Sequence, residues 1–389
     1  MKDQRAGRVA IDVSCLVPRP LTGVGYYTRN LLRTFLMGHP EWQASLFASS
    51  AKPAGDLACE LGVEPRTLRT IRWPTRLKNA MWTRLEWPPI EWFAGRADIV
   101  HGTFHLLPAS RKARRIATVF DLSALRFPET RTAASFRLHV GLLRHAAARA
   151  DALIAISESC RNDVIELLQV SPERVHVVYG GVFMDEFTAP LDEARLRACR
   201  DRFGLAGDYF IHLGTLEPRK NLPRLLEAYA RVRARHRDCP RLVLAGQAGW
   251  MYDAVFETIE RLALRASVAT TGYLDRADAV CLLRGAYACV YPSLYEGFGL
   301  PVLEAMAART PVLTSCVSSL PEVVGKEGIL VEPESVDSIE AGLDALVERR
   351  EDAQARVEAA FDRARMFTWE RSADALAETY RRVLEGPPR

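Results

Sequence analysis

Glu296-Gly-Phe-Gly-Leu-Pro-Val-Leu-Glu304 follows the apolar run Ala288-Cys-Val-Tyr-Pro292 and opens a helical pattern. The run has the length and composition of a buried strand. Gly297 and Gly299 let the backbone turn tightly and approach a ligand. Pro301 suits a first helical turn, where its missing N–H would have no partner anyway. A helix starting there aims free N–H donors and a positive dipole end at the turn, which favours an anion. Glu296, at the strand end, and Glu304, in the first turn, bracket the loop. Carboxylates repel a bare phosphate but accept strong hydrogen bonds from hydroxyls. A ligand carrying both hydroxyls and phosphate fits the pair. Read alone, Glu304 is equally a partner for the helix dipole.

The same strand, turn and helix order repeats outward in both directions. Upstream, apolar runs fall at 9–13, 45–48, 99–101, 116–120, 152–156 and 175–178, with helical periodicity at 26–36 and 135–150. A charge-rich stretch at 185–207, expected to hold a short helix, interrupts the pattern. The runs then resume at 209–213, 242–245, 268–271, 288–291, 312–314 and 328–331, with helices over 223–236 and 301–308. Alternating β and α with β-branched runs predicts parallel sheets covered on both faces. The expectation is an α/β chain of two doubly wound domains, 1–190 and 191–370, facing across a cleft. An amphipathic helix at 371–389 closes the chain and packs back on the first domain. Ligands of such sheets sit at the carboxyl ends of strands.

One such end is Gly214-Thr-Leu-Glu-Pro-Arg-Lys-Asn-Leu222. It presents Arg219 and Lys220 just before a helix. Arg grips two oxygens in a planar fork and Lys adds a point charge, which makes a diphosphate clamp. A bare Arg-Lys pair is otherwise a solvated surface feature.

Composition narrows the classes. A chain of 389 residues with 48% hydrophobic content holds about two domains with ample cores. The formal charge of +4 is spread along the chain, which argues against a nucleic-acid stripe. Eight cysteines without a C-x-x-C pair read as free buried thiols rather than a zinc site. The first residues, Met-Lys-Asp-Gln-Arg, lack a signal-peptide core, and no apolar stretch approaches 18 residues. A cytoplasmic protein is expected.

The stretch Tyr291–Met306, continued through Thr310–Val324, resembles the E-x7-E signature of the family-4, group 1 glycosyltransferases. The similarity runs along nearly the whole chain, is strongest after residue 209, and points to a mannosyltransferase-like branch. It implies the architecture called GT-B, with a nucleoside-diphosphate sugar as donor and co-substrate. It also implies retention of anomeric configuration, with neither metal nor other cofactor. Consistently, the sequence holds no D-x-D triplet. By motif position Glu296 faces the donor sugar and Glu304 the ribose. The turn Phe298-Gly299-Leu300 binds the donor, and Arg219 and Lys220 hold its diphosphate. Some branches place an arginine where Thr215 stands here.

In the first half, Thr22-Gly-Val-Gly-Tyr-Tyr-Thr28 is similar to the family's G-x-G-R-Y-T loop, so Gly23 and Gly25 are expected to admit the donor. Tyr26 replaces the usual arginine. Ala117-Thr-Val-Phe-Asp-Leu122 is similar to a segment that often reads H-D-L, with Phe120 in place of the histidine. Asp121 either orients the acceptor hydroxyl and takes its proton or caps the next helix. His101 and His105 end another strand, where one faces the acceptor or both are structural. Ser157 and Ser159 read chiefly as helix caps.

The segment 73–93 concentrates Trp73, Trp82, Trp87 and Trp92 with Arg72, Arg76, Lys78 and Arg84. It either packs the first domain or contacts lipid headgroups at the inner membrane face. The resulting expectation is transfer of a hexose, with GDP-mannose as donor, to a glycan or lipid-linked glycan in bacterial surface polysaccharide synthesis. A nucleotide-sugar epimerase, a phosphorylase of the same fold and a catalytically silent sugar-nucleotide-binding protein are the alternatives.

Overall fold

The computed structural model describes residues 6–18, 20–49 and 56–387. The first five residues, on which the leader-peptide expectation rests, lie outside that set, as does the side chain of Arg76.

The described chain divides into two compact units. The first comprises 1–128, 132–181 and 369–389, and the second 129–131 and 182–368. The first holds a seven-stranded sheet of β1 (Gly7–Asp12), β2 (Trp42–Ser49), β3 (Leu68–Ile71), β4 (Ile99–Gly102), β5 (Arg114–Val119), β6 (Ala152–Ala155) and β7 (Val175–Val177). Its order is β3-β2-β1-β4-β5-β6-β7, and the pairings are parallel. The second unit holds β8 (Tyr209–Leu213), β9 (Arg241–Ala245), β10 (Val268–Gly272), β11 (Ala288–Tyr291), β12 (Val312–Ser315) and β13 (Ile329–Val331). Its order is β10-β9-β8-β11-β12-β13, also parallel. Both are Rossmann-like α/β sheets. The strand order reverses between β1 and β4 in one and between β8 and β11 in the other.

The central strands are buried on both faces, so they appear in sequence as mainly apolar runs, interrupted by the buried polar residues Asp12, His101 and His212. β3 was not anticipated. It is an edge strand, Leu-Arg-Thr-Ile, with both middle residues exposed, and an edge needs no such run.

The boundary expected at 190 lies at 181. The charge-rich stretch contributes two helices, Asp185–Thr188 and Glu193–Arg202, rather than one, and both belong to the second unit. Arg195 of the latter ion-pairs with Asp278 at 2.6 Å and Asp275 at 2.9 Å. These charges fasten it to the helix Arg276–Arg284 instead of leaving it as a linker. The closing helix, Trp369–Glu385, is part of the first unit. Its Trp369 meets Tyr27 edge-on at 5.7 Å, and its Tyr380 meets Phe35 at 5.5 Å.

Candidate active site

In the second unit, Lys220 follows β8 and Glu296 follows β11, the two strands that flank the reversal of strand order. A doubly wound sheet opens its ligand crevice at that point. The turn after β8 is a short 3₁₀ segment, Pro218–Lys220, that ends on Asn221 in the left-handed conformation. Asn221 holds it by donating to the carbonyls of Pro292 at 3.0 Å and Pro333 at 2.6 Å. Gly246, after β9, packs so closely that an added Cβ would lie 1.9 Å from Gly214 O. Only glycine fits this contact, which fixes the path of the Arg219–Lys220 turn.

Four charged side chains converge here. Lys220 Nζ donates to Glu296 Oε1 at 2.6 Å and to Tyr291 Oη at 2.5 Å. Arg219 reaches Glu296 Oε2 at 2.7 Å and Glu217 at 2.5 Å. All four are nearly buried. Burial raises the Glu296 carboxyl pKa, but Arg219 and Lys220 outweigh it and hold the group at about 2. Glu296 is therefore an ionised hydrogen-bond acceptor and a poor base. Burial lowers the Lys220 pKa against the pull of Glu296. The Tyr291 ring, stacked on His212 at 4.9 Å, backs the ammonium.

Glu304 is the fifth residue of the eight-residue helix Leu300–Ala307, one position beyond the first turn in which the sequence placed it, because the helix starts only after the left-handed Gly299. Gly299, at φ 106°, is left-handed and forms the turn into it, as a side chain there would be strained. Leu300 is half-buried at the helix start. Phe298 is placed differently from expectation. Its ring is buried and meets Phe367 edge-on at 5.8 Å, so it packs within the unit. Its backbone stays part of the turn, where Ser319 Oγ lies 2.9 Å from the carbonyls of both Glu296 and Phe298. Arg276 was missed in the sequence. It binds Glu304 Oε1 at 2.5 Å and Glu186 at 2.6 Å. Glu217, Tyr291 and His212 were also missed. Their nearness to Lys220 comes from strand order, which no local pattern carries.

In the first unit, Gly23 and Gly25 begin the helix Gly23–Gly38. Gly23 is open, whereas a Cβ on Gly25 would press within 2.8 Å of Leu21. Asp121 Oδ1 accepts from Ser123 N at 2.9 Å and Ser123 Oγ at 2.5 Å, a turn-capping bond. Phe120 packs against Tyr27 at 5.1 Å. His101 requires a correction. It is 1% exposed, with Nδ1 2.7 Å from Tyr380 Oη and Nε2 2.8 Å from Thr118 Oγ1. Burial lowers its pKa to about 3, so it is a neutral core histidine with neither nitrogen left for an acceptor. His105 is also buried and donates its backbone N–H to Thr118 O at 2.9 Å. Ser157 caps the helix Glu158–Leu168 by accepting from Cys160 N at 2.9 Å.

Among the described residues, His236, Asp344 and Glu348 form the one group with metal-ligand spacing. It stands at the end of the helix Leu222–Arg235, away from the carboxyl ends of the strands. Arg235 already binds Asp344 at 2.5 Å, which makes the group a surface ion-pair cluster. No described helix is long and apolar enough to cross a membrane.

The profile described as glycosyl transferases group 1 matches residues 203–363, and that described as glycosyltransferase family 4 matches 21–186. O-antigen chain mannosyltransferase B of Escherichia coli is 29% identical over 381 residues, covering 93% of this chain and 96% of that protein. Serotype-specific mannosyltransferase WbdA of the same organism is 32% identical over 243 residues, 61% of this chain and 29% of that longer protein. In three dimensions, WaaG, a glycosyltransferase involved in lipopolysaccharide biosynthesis, superposes with a TM-score of 0.74 at 17% identity, covering 97% of this chain and 100% of that one. Sucrose-phosphate synthase from Thermosynechococcus elongatus gives 0.75 at 19% identity over 96% and 98% of the two chains. These structures carry the fold, GT-B. With each half matched by its own profile, the chain belongs to the family-4, group 1 glycosyltransferases and is a hexosyltransferase.

Proposed function

We propose that the enzyme transfers mannose from GDP-mannose to a hydroxyl of a glycan or lipid-linked glycan in bacterial surface polysaccharide synthesis, with retention and without a metal. The observation that carries the donor reading is the cluster of Arg219, Lys220 and Glu296 at the β8/β11 reversal. Two cations meet one carboxylate in the crevice where this fold takes its ligand. As the bond from the anomeric carbon to the diphosphate breaks, charge grows on the leaving oxygen. Lys220 and Arg219 are already held in place to stabilise it, so little reorganisation is needed. Glu296, ionised and fixed by both, accepts hydrogen bonds from sugar hydroxyls. Glu304 takes the ribose. Asp121, with one oxygen fixed by Ser123, orients the acceptor hydroxyl. Mannose is preferred because the relative aligned along nearly its full length is an O-antigen mannosyltransferase. A thermal-shift screen with GDP-, UDP- and dTDP-sugars tests the reading. GDP-mannose should raise the melting temperature most, and a flat response to all of them would overturn it.

We also infer a peripheral contact with anionic lipid, carried by how the tryptophan-rich segment divides. Trp82 is fully buried and its indole N–H donates to Pro88 O at 2.9 Å, so it packs the core. Trp87 and Trp92 are 46% and 54% exposed and meet edge-on at 5.6 Å, with Arg111 over the Trp92 ring. Paired exposed indoles beside a guanidinium suit a headgroup layer.

A further inference from the structure

Glu304 is held by one oxygen only. Arg276 Nη1 donates to its Oε1 at 2.5 Å, while no described residue bonds Oε2. The Glu304 side chain is 16% exposed, and Oε2 is not sealed from solvent. The other edge of the Arg276 guanidinium grips Glu186 Oε2 through Nε at 2.8 Å and Nη2 at 2.6 Å. The plane also lies over the Phe187 ring at 5.4 Å. One planar group thus ties three elements: the helix Asp185–Thr188, the start of the helix Arg276–Arg284 and the helix Leu300–Ala307. A lone glutamate on a helix samples several rotamers, and ordering it on ligand binding costs affinity. A fork already gripped on its far edge cannot swing away, so it holds the carboxylate in one orientation.

We propose that Arg276 is the positioning residue for ribose recognition, locking Glu304 so that Oε2 is presented to the ribose 2′- and 3′-hydroxyls of the donor. The inference rests on the reading of Glu304 as the ribose acceptor. Arg276 needs no contact with the nucleotide. Its effect is felt only by ligands that carry those hydroxyls. Glu186 is the anchor that keeps the fork in plane.

The test is a binding ratio. Affinities for GDP and 2′,3′-dideoxy-GDP are measured by titration calorimetry on the full chain, with the UDP pair used if UDP binds tighter. The wild type should favour the ribose form about tenfold, as expected for a charge-assisted hydrogen bond. Arg276→Met should bring that ratio near one while affinity for the dideoxy form stays within about twofold, because only the hydroxyl contact is lost. Arg276→Lys, which restores a cation without the fork, should recover the ratio in part. If Arg276→Met fails to fold, Glu186→Gln at its half-exposed anchor should still reduce the ratio at least about twofold, on the same hydrogen-bond argument. A uniform loss for both nucleotides with the ratio unchanged would assign Arg276 a purely structural role and overturn the inference. A wild-type ratio of one would instead remove the ribose reading of Glu304, and the inference with it.

Discussion

Lys220 Nζ lies 2.6 Å from Glu296 Oε1, and each side chain is 8% exposed. Taking either charge out of water is costly unless the other stays beside it. On the proposed reading the pair is both a donor handle and a fold element. Lys220→Met should raise the donor KM and lower kcat about 100-fold or more, the usual effect of removing one charge-stabilising group. It should also reduce unfolding free energy by up to about 3–5 kcal/mol, less to the extent that Arg219 still neutralises Glu296. Steady-state kinetics and chemical denaturation on one preparation separate the two effects. Kinetics within twofold of wild type would remove Lys220 from the donor site.

The Glu296 carboxyl, held at about 2 by Arg219 and Lys220 against the effect of burial, stays ionised at every working pH. Its contribution to stability is present above the unfolded value near 4.5 and lost as pH falls towards 2. The pH profile of kcat/KM should therefore carry no limb from Glu296 between pH 5 and 9. Glu296→Gln should lower the whole curve without reshaping it. An acidic limb that disappears in the variant would show Glu296 acting as a base.

His101 gives a stability prediction. Burial lowers its pKa from 6.5 to about 3, so the unfolded chain takes up a proton that the folded chain refuses. Stability falls as pH drops through 6.5 and keeps falling towards 3. Between pH 7 and 5 this one group costs about 2 kcal/mol. His101→Gln should be less stable than wild type at pH 7 but lose about 2 kcal/mol less on acidification. Urea denaturation at the two pH values measures it, and equal losses would contradict the burial of a neutral ring.

The lipid reading depends on Trp87 and Trp92 and not on Trp82. Trp87→Ser with Trp92→Ser should abolish co-flotation with phosphatidylglycerol-containing vesicles at low salt and leave the melting temperature nearly unchanged, because both rings are exposed. Equal flotation of variant and wild type would locate the contact elsewhere, and no flotation of wild type would dismiss it.

Strands β8 and β11 were legible to the residue, because a strand buried on both faces is apolar along most of its length. The Gly299 turn was legible too, since its left-handed backbone demands the residue found there. What stayed hidden depends on distant neighbours. His101 ends a strand, as an acceptor-facing residue would, and only Tyr380, 279 residues later, turns it into a core group. Phe298 stands in the turn proposed to bind the donor, yet its ring is directed at Phe367. Arg276 lies 28 residues before Glu304 and looks like any first-turn cation until the sheet brings them together. The domain boundary was displaced for a related reason. A charged helix such as Glu193–Arg202 resembles a linker until Asp275 and Asp278 are seen to bind it.

The central claim is that the loops after β8 and β11 hold a nucleoside-diphosphate sugar by its diphosphate without a metal. Calorimetric titration of GDP-mannose and UDP-glucose into the wild type and Lys220→Met, each with excess EDTA, addresses it directly. The account predicts saturable 1:1 binding of at least one donor to the wild type, unaffected by EDTA and weakened about tenfold or more in Lys220→Met, as expected on losing one charge-assisted contact. Binding that vanishes with EDTA, or that is equal in the two proteins, would contradict it.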